Sequence, residues 1–222
     1  MVSKGLLVRL EARHGRQAEV EDFLCSALPA VRQEAGTIAW FALRFGRGEY
    51  GILDVFADDA GREAHLAGVV ARTLMAQAEV LLSEPPRIQR LDVLADKLPT
   101  LQPAEPDTKA LLLSFLPKSG HAAQVEQFLR DAQPMVQEEP GTTAWFALHF
   151  DDGHYGIFDT FPDNGARLHH LTGRVPRELA KHALSLLGSL PDPELPGVLA
   201  EKLGSSVVSV ETTTGSGRAE LT

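Results

Sequence analysis

The sequence has 222 residues and a formal net charge of -9, with 23% charged and 44% hydrophobic residues. This acidic balance argues against a nucleic-acid partner, because binding to phosphates needs a basic surface. Cys25 is the only cysteine, which excludes an intramolecular disulfide framework. The sequence has no apolar run of about 18 residues, and its first apolar segment is too short for a signal peptide. We therefore expect a cytoplasmic protein that does not enter a membrane.

The N-terminal half begins with a predicted strand and a predicted helix. Leu6–Glu11 is a short apolar run typical of a buried strand, and apolar residues at helical spacing predict a helix over Gln17–Val31. Thr37–Phe45 and Tyr50–Phe56 are apolar and aromatic segments on either side of a glycine-containing turn. This arrangement predicts a β-hairpin.

A second predicted helix follows the hairpin. Asp58 or Asp59 is expected to cap it, and Gly68 is expected to interrupt it before it restarts. Arg87–Leu94 can form a fourth strand. The resulting order, βαββαβ, is that of a ferredoxin-like unit.

The same series of elements is written a second time in the C-terminal half. A shift of 105 residues aligns the segments 6–98 and 111–203 without a gap, and roughly 43 of the 93 pairs are identical. We therefore predict two ferredoxin-like domains at residues 1–99 and 110–204, a proline-containing linker at 100–109 and a flexible tail at 205–222. The predicted fold class is α+β, with the two repeats packed sheet to sheet.

Each repeat resembles the antibiotic biosynthesis monooxygenase family of the dimeric α+β barrel superfamily. The resemblance lies in a helix, then Gly-Thr-x-x-aromatic (Gly36–Trp40), then a strand ending acidic-x-aromatic-x-Asp (Asp54–Asp58), then a helix carrying His65-Leu66. Both copies match this order over nearly their whole length. The resemblance implies a barrel of two ferredoxin-like units, here a pseudo-dimer within one chain. Whether the chain also forms a homodimer is left open.

The family resemblance also indicates a range of activities. Some members oxidise polycyclic phenols or quinols with O₂ and without a metal or flavin cofactor, while others degrade haem or have no known activity. The haem-degrading members use a histidine ten residues after the position of His65 as the iron ligand. Met75 and Ala180 occupy that position here, which disfavours haem degradation.

Aromatic residues of the hairpin are candidates for substrate binding. Strand alternation puts Trp40 on the face opposite Phe41, and puts Tyr50, Asp54 and Phe56 on one face. A tryptophan beside polar residues can form a flat wall for an aromatic substrate, although it can equally pack under a helix. The candidate substrate-binding aromatic residues are Trp40, Trp145, Tyr50, Tyr155, Phe56 and Phe161.

Asp54 and Asp159 are candidate catalytic bases. An aspartate between apolar neighbours on a central strand is unusual, because buried charges need a partner. If it is desolvated, its pKa rises and it can accept a phenolic proton. The alternative is a structural carboxylate paired with an arginine or a backbone amide.

His65 and His170 are the only histidines kept at matching positions, and each follows an arginine, Arg62 or Arg167, by three residues. With Arg72 these residues are predicted to share one side of a helix. A neutral histidine can relay a proton and an arginine can stabilise a substrate anion. The alternative is a histidine at the edge of the apolar stripe beside solvated arginines.

These residues lead to a functional hypothesis. We expect a cofactor-independent monooxygenase that uses O₂ and a small phenolic, quinol or polyketide-like aromatic molecule. Asp54, His65 and their counterparts deprotonate the substrate, and the deprotonated ring itself reduces O₂. The alternatives are a non-catalytic barrel that binds a small ligand and a purely structural duplication.

Overall fold

The computed structural model describes residues 2–99 and 108–204. The first copy comprises β1 (Lys4–Glu11), α1 (Gln17–Gln33), β2 (Thr37–Arg44), β3 (Glu49–Phe56), α2 (Asp59–Leu66), α3 (Val69–Leu81) and β4 (Arg87–Lys97). The second copy comprises β5 (Lys109–Phe115), α4 (Ala122–Gln137), β6 (Ala144–Phe150), β7 (Tyr155–Phe161), α5 (Asn164–Leu171), α6 (Arg174–Leu186), β8 (Asp192–Glu194) and β9 (Gly197–Leu203).

The predicted elements of the first copy are confirmed, including the interruption of the second helix. Asp58 caps α2 by accepting a hydrogen bond from the Gly61 amide at 2.9 Å, and Gly68 separates α2 from α3. The predicted tail and all but two residues of the predicted linker lie outside the described residues. The two linker residues that are described, Thr108 and Lys109, lead into β5.

Antiparallel pairing gives the strands of the first copy the order β4-β1-β3-β2. In the second copy β6, β7, β5 and β8 follow one another in the same way. The fourth strand of each copy also pairs with the other copy, β4 with β6 and β9 with β2. A bridge between Lys109 and Gly197 then closes the described strands into a ring. The fold is thus a mixed α+β structure around an antiparallel, barrel-like sheet.

The interior of this ring is filled by apolar side chains from both copies. Phe41 of β2 contacts Phe158 of β7 at a ring-centroid distance of 5.1 Å, and Phe146 of β6 lies 6.2 Å from Phe41. All three phenylalanines are fully buried. Two further apolar clusters lie on the outer face of the sheet, one against the helices of each copy.

The fourth strand differs between the copies. β4 is continuous, whereas its counterpart is divided into β8 and β9 at Leu195 and Pro196. Proline has no backbone N–H to donate to a neighbouring strand, so it favours such a break. Because strands of both copies share one sheet, the division into two domains stays a prediction.

None of the helices in the described part of the chain is long and apolar enough to cross a membrane.

Candidate functional site

The two faces of the β2–β3 hairpin have different surroundings, as the alternation predicts. Phe41 belongs to the apolar cluster inside the ring. Trp40 and Tyr50 belong to the cluster that packs against the helices. Trp40 is fully buried, and its register partner on β3 is Asp54. The candidate site therefore lies between the sheet and the helices rather than inside the ring.

Asp54 is a buried carboxylate with an imidazole as its neighbour. Its side chain is 1% exposed, and its Oδ2 atom lies 3.5 Å from Nε2 of His65. That separation is an ion-pair distance, and within the described part of the chain neither carboxylate oxygen has a hydrogen-bond partner. The carboxylate therefore interacts with His65 mainly through charge.

The other nitrogen of His65 contacts a second acid, Glu34. Nδ1 of His65 lies 2.6 Å from Oε2 of Glu34, and the Thr37 hydroxyl donates a hydrogen bond to the same oxygen at 2.7 Å. His65 thus lies between two carboxylates, Asp54 on the strand and Glu34 just after α1. Glu34 and His65 can share a proton through their hydrogen bond, while Asp54 places a second acid on the other side of the imidazole.

The second copy repeats this arrangement atom for atom. Nδ1 of His170 lies 2.7 Å from Oε2 of Glu139, and Nε2 lies 3.9 Å from Oδ2 of Asp159. Thr142 donates to Glu139 at 3.1 Å. The structure therefore brings the predicted aspartate and histidine together in both copies.

Glu34, Thr37 and their counterparts were not among the residues predicted from the sequence. Both pairs are identical in the two copies, at the same offset of 105 residues as the predicted residues. A comparison of the two copies in the sequence could therefore have identified Glu34 and Thr37 as candidates. The sequence comparison cannot show that the C-terminal end of α1 lies next to His65 of α2, because this is a tertiary contact.

At the break between α2 and α3, Gly68 lies close to both His65 and Glu34. A Cβ atom at Gly68 would lie 2.8 Å from the carbonyl oxygen of His65 and 3.1 Å from Oε1 of Glu34. Only a glycine fits between the two without displacing one of them. Gly173 approaches the carbonyl of His170 in the same way, at 2.9 Å.

Burial and neighbouring charges shift the proton affinities of the site. Burial raises the pKa of Asp54 to about 7, with His65 opposing the shift and Glu34 adding to it. Asp159 has its pKa raised to about 7, again first by burial. Burial lowers the pKa of His65, but Asp54 and Glu34 outweigh it, so the pKa is raised overall. Both copies can therefore exchange a proton near neutral pH.

The predicted arginines lie near the site but are bound elsewhere. Nη1 of Arg62 donates to the carbonyl of Leu91 at 3.3 Å, and Nη2 contacts Asp59. Arg167 donates to the carbonyl of Ala110 at 3.1 Å. Arg72 is on α3 and donates to the carbonyl of Ala67, so the prediction that it shares a helix side with His65 is wrong. The helix break separates the two residues.

The aromatic candidates divide into two groups. Phe56 and Phe161 pack against the imidazole rings of His65 and His170, at centroid distances of 5.5 and 5.2 Å. The Tyr50 hydroxyl instead donates to Glu21 at 2.8 Å, away from the histidine.

Several clefts open on the surface of the described residues. The two that Tyr50 lines have volumes of about 940 and 520 Å³, and Arg62 lines a third of about 350 Å³. None of these three clefts is lined by Trp40, Asp54 or His65. These three clefts therefore do not reach Asp54 and His65, which are buried.

Neither a protein-family model nor a curated protein matches the sequence. A Fusobacterium nucleatum structure described as a "putative monooxygenase" matches with a TM-score of 0.82 and 12% identity, over 93% of this chain and 96% of its own. A structure described as an "anthrone oxidase-like protein" matches with a TM-score of 0.61 and 9% identity, over 92% and 97%. A Nitrosomonas europaea protein of unknown function is 55% identical over 45% of this chain and 96% of its own, with a TM-score of 0.44.

At 12% and 9% identity the first two matches establish a common fold. They extend over more than nine tenths of the chain and so include both copies. The resemblance seen in the sequence is confirmed at this level. The chain therefore shares its fold, over both copies, with structures described as a "putative monooxygenase" and an "anthrone oxidase-like protein".

Proposed function

We propose that the protein is a monooxygenase-like oxidoreductase that oxygenates a phenolic, quinol or polyketide-like aromatic molecule with O₂ and without a metal or flavin. The observation that carries the proposal is the buried Asp54–His65–Glu34 chain, present again as Asp159–His170–Glu139. A carboxyl group with a pKa of about 7 beside an imidazole is suited to remove a proton of low acidity near neutral pH.

The chemistry follows from that proton transfer. The base takes a proton from the substrate, and the resulting electron-rich anion passes electrons to O₂. When a ring CH₂ group becomes a carbonyl, the carbon loses four electrons and both hydrogens. O₂ takes up the four electrons, and one oxygen atom enters the carbonyl while the other leaves as water. General-base catalysis of the first step contributes on the order of 10²- to 10⁴-fold.

The remaining candidate residues have positioning roles in this proposal. Phe56 fixes the plane of the His65 ring, and Trp40 bounds the site beside Asp54. Tyr50 contacts substrate at the cleft. Arg62 stabilises the substrate anion only if it exchanges one of its present acceptors for the substrate. The counterparts Trp145, Tyr155, Phe161 and Arg167 have the same roles in the second site.

The architecture belongs to the same proposal. Two ferredoxin-like units, residues 1–99 and 110–204, form an intramolecular dimeric α+β barrel, joined by the linker 100–109. The partners are the aromatic substrate and O₂, in the cytoplasm, with no nucleic acid or membrane involved. Because Asp54 and Trp40 are fully buried, turnover requires α2 or α3 to move away from the sheet and admit substrate.

Oxygen consumption by purified, metal-free protein tests the proposal. We would measure uptake with a panel of anthrones and quinols, for wild type and for the double variants Asp54→Asn/Asp159→Asn and His65→Gln/His170→Gln. The matched control is His169→Gln, which changes an exposed histidine next to His170. We expect uptake in wild type and the control, and a loss of about 10²-fold or more in both double variants.

Two results would overturn the proposal. One is the absence of oxygen uptake by wild type across the whole panel. The other is wild-type uptake in both double variants, provided that circular dichroism shows them folded. In either case the two buried chains of groups have no catalytic role in this chemistry.

A second candidate function is the non-catalytic binding of a small ligand. It is favoured by the cleft of about 940 Å³. Tyr50 and Arg44 line this cleft, whereas Asp54 and His65 do not. Calorimetric titration with the same aromatic panel separates the two functions. Binding that is weakened by Tyr50→Ala, with no oxygen uptake, would favour this alternative.

A further inference from the structure

Each candidate site is contacted by a lysine from the other copy. Lys202 lies on β9 of the second copy, where it is the register partner of Trp40 in the first. Its Nζ atom donates to the carbonyl of Glu34 at 2.7 Å and to the carbonyl of Val31 at 3.0 Å. The pairing of β9 with β2 therefore brings a cation to the end of α1.

Lys97 makes the reciprocal contact. It lies on β4 of the first copy and is the register partner of Trp145. Its Nζ atom donates to the carbonyl of Glu139 at 2.6 Å and to the carbonyl of Val136 at 2.8 Å. Lys97 and Lys202 are also identical at the repeat offset.

The position of these ammonium groups has a physical reason. The last carbonyls of a helix have no partner within the helix and carry partial negative charge, so a cation there is favourable. Burial lowers the pKa of Lys202, and Glu34 opposes that shift. A half-buried ammonium group needs such acceptors, and it fixes the main chain that supplies them.

Glu34 connects the lysine to the histidine. Its main-chain carbonyl binds Lys202, while its side chain binds His65. Glu34 is the C-cap residue directly after α1, and its own N–H is bonded to the carbonyl of Val31. Fixing this helix end fixes the point from which the carboxylate reaches the imidazole.

We propose that Lys202 and Lys97 are positioning residues. Each holds the glutamate of the other copy against the histidine of that copy, so that both sites are completed where the fourth strand of one copy pairs with the other copy. As a statement about catalysis this rests on the proposed function. As a statement about geometry it can be tested without turnover.

The direction in which the pKa of His65 changes when Lys202 is removed distinguishes a positioning role from a simple charge effect. His65 is faced by Asp54 from β3, by Glu34 after α1 and by Lys202 from β9. If Lys202 acts only as a nearby positive charge, its removal raises the pKa of His65. If it holds Glu34 in place, its removal weakens the contact between Glu34 and His65, and the pKa of His65 falls.

The experiment follows histidine titration by NMR in the full chain, with the two signals assigned from His65→Gln and His170→Gln. In Lys202→Met we expect the pKa of His65 to fall by roughly half a pH unit or more, since a charge-assisted hydrogen bond weakens. The pKa of His170 should not move. Lys97→Met should give the reverse pattern, and Lys202→Arg should restore the wild-type value for His65.

A rise in the pKa of His65, or no change, in Lys202→Met would overturn the proposal, as would equal shifts at both histidines. If Lys202→Met does not fold, Lys97→Met provides the same test at the other site. Oxygen uptake plays no part in these outcomes. A protein without oxygenase activity can therefore still confirm the positioning role, and an active one can refute it.

Discussion

Nε2 of His65 lies 3.5 Å from Oδ2 of Asp54, and the equivalent pair in the second copy, His170 and Asp159, is separated by 3.9 Å. The two copies differ at about half of their aligned positions, yet both keep a buried acid at this distance from a histidine. A buried carboxylate without hydrogen-bond donors destabilises a fold. A function at this site would explain most directly why both copies keep this buried carboxylate.

The first prediction concerns stability as a function of pH. The folded-state pKa of Asp54 is about 7, against an ordinary value of 3.8. Between these values the folded chain holds a proton that the unfolded chain has released, so wild type loses stability as the pH rises from about 4 to about 7. The raised pKa of His65 acts in the same direction at higher pH. Asp54→Asn cannot lose that proton.

We therefore expect the stability of Asp54→Asn, relative to wild type, to increase by about 2–4 kcal/mol over this pH range. Urea unfolding at a series of pH values measures the difference. Asp22→Asn, at an exposed position on α1, is the control and should follow wild type. A difference between Asp54→Asn and wild type that does not change with pH would show that Asp54 is not desolvated as described.

Much of the fold could be predicted because the sequence contains it twice. The alternation in Thr37–Phe45 and the capping residue Asp58 are local signals, and the structure confirms both. The pairing of β4 with β6 could not be obtained in this way. It depends on which strand edges meet after folding, and sequence spacing alone does not record that.

The site was predictable in part for the same reason. Asp54 and His65 stand out because a charged residue among apolar ones, and a histidine kept in both copies, are unusual in the sequence itself. Glu34 and Lys202 do not stand out, because acids and lysines at helix ends or on strands are common. Their roles arise from tertiary contacts over 31 and 168 residues of sequence separation.

The second prediction concerns the coupling of the two copies through the ring interior. Phe41 and Phe158 come from different copies and contact each other in a tilted geometry at 5.1 Å. A double-mutant cycle with Phe41→Leu and Phe158→Leu should give a coupling free energy of about 0.5–1.5 kcal/mol. The control cycle pairs Phe41 with Phe115, which belongs to a different apolar cluster, and should be additive. Additivity in both cycles would contradict direct packing between the copies.

The third prediction concerns a glycine on β3. A Cβ atom at Gly51 would lie 2.7 Å from the carbonyl oxygen of Val8 and 2.9 Å from Cε2 of Phe45. Gly51→Ala should therefore destabilise the protein by about 1–3 kcal/mol, because β1 or the phenylalanine must shift. At Gly197 a Cβ would meet no described atom within 4 Å, so Gly197→Ala should change stability by less than about 0.5 kcal/mol. Equal effects in denaturant unfolding would contradict this account.

The last prediction uses the two tyrosines as probes of the cleft. Burial, together with the hydrogen bond to Glu21 and its charge, raises the pKa of Tyr50 to about 12, while Arg44 opposes the shift. In a Tyr155→Phe background Tyr50 is the only tyrosine, so ultraviolet difference absorbance follows its ionisation alone. We expect the midpoint near pH 12 in the folded protein, and a lower midpoint in Glu21→Gln because the phenolate no longer faces a carboxylate.

Circular dichroism on the same samples ensures that the folded state is the one titrated, and the urea-unfolded chain gives the reference near pH 10. A folded-state midpoint at this reference would show that Tyr50 is solvated and free of Glu21. The cleft residue would then be open to a substrate phenol without first breaking a hydrogen bond. A midpoint near 12 means that any ligand reaching Tyr50 must compete with Glu21 for the hydroxyl.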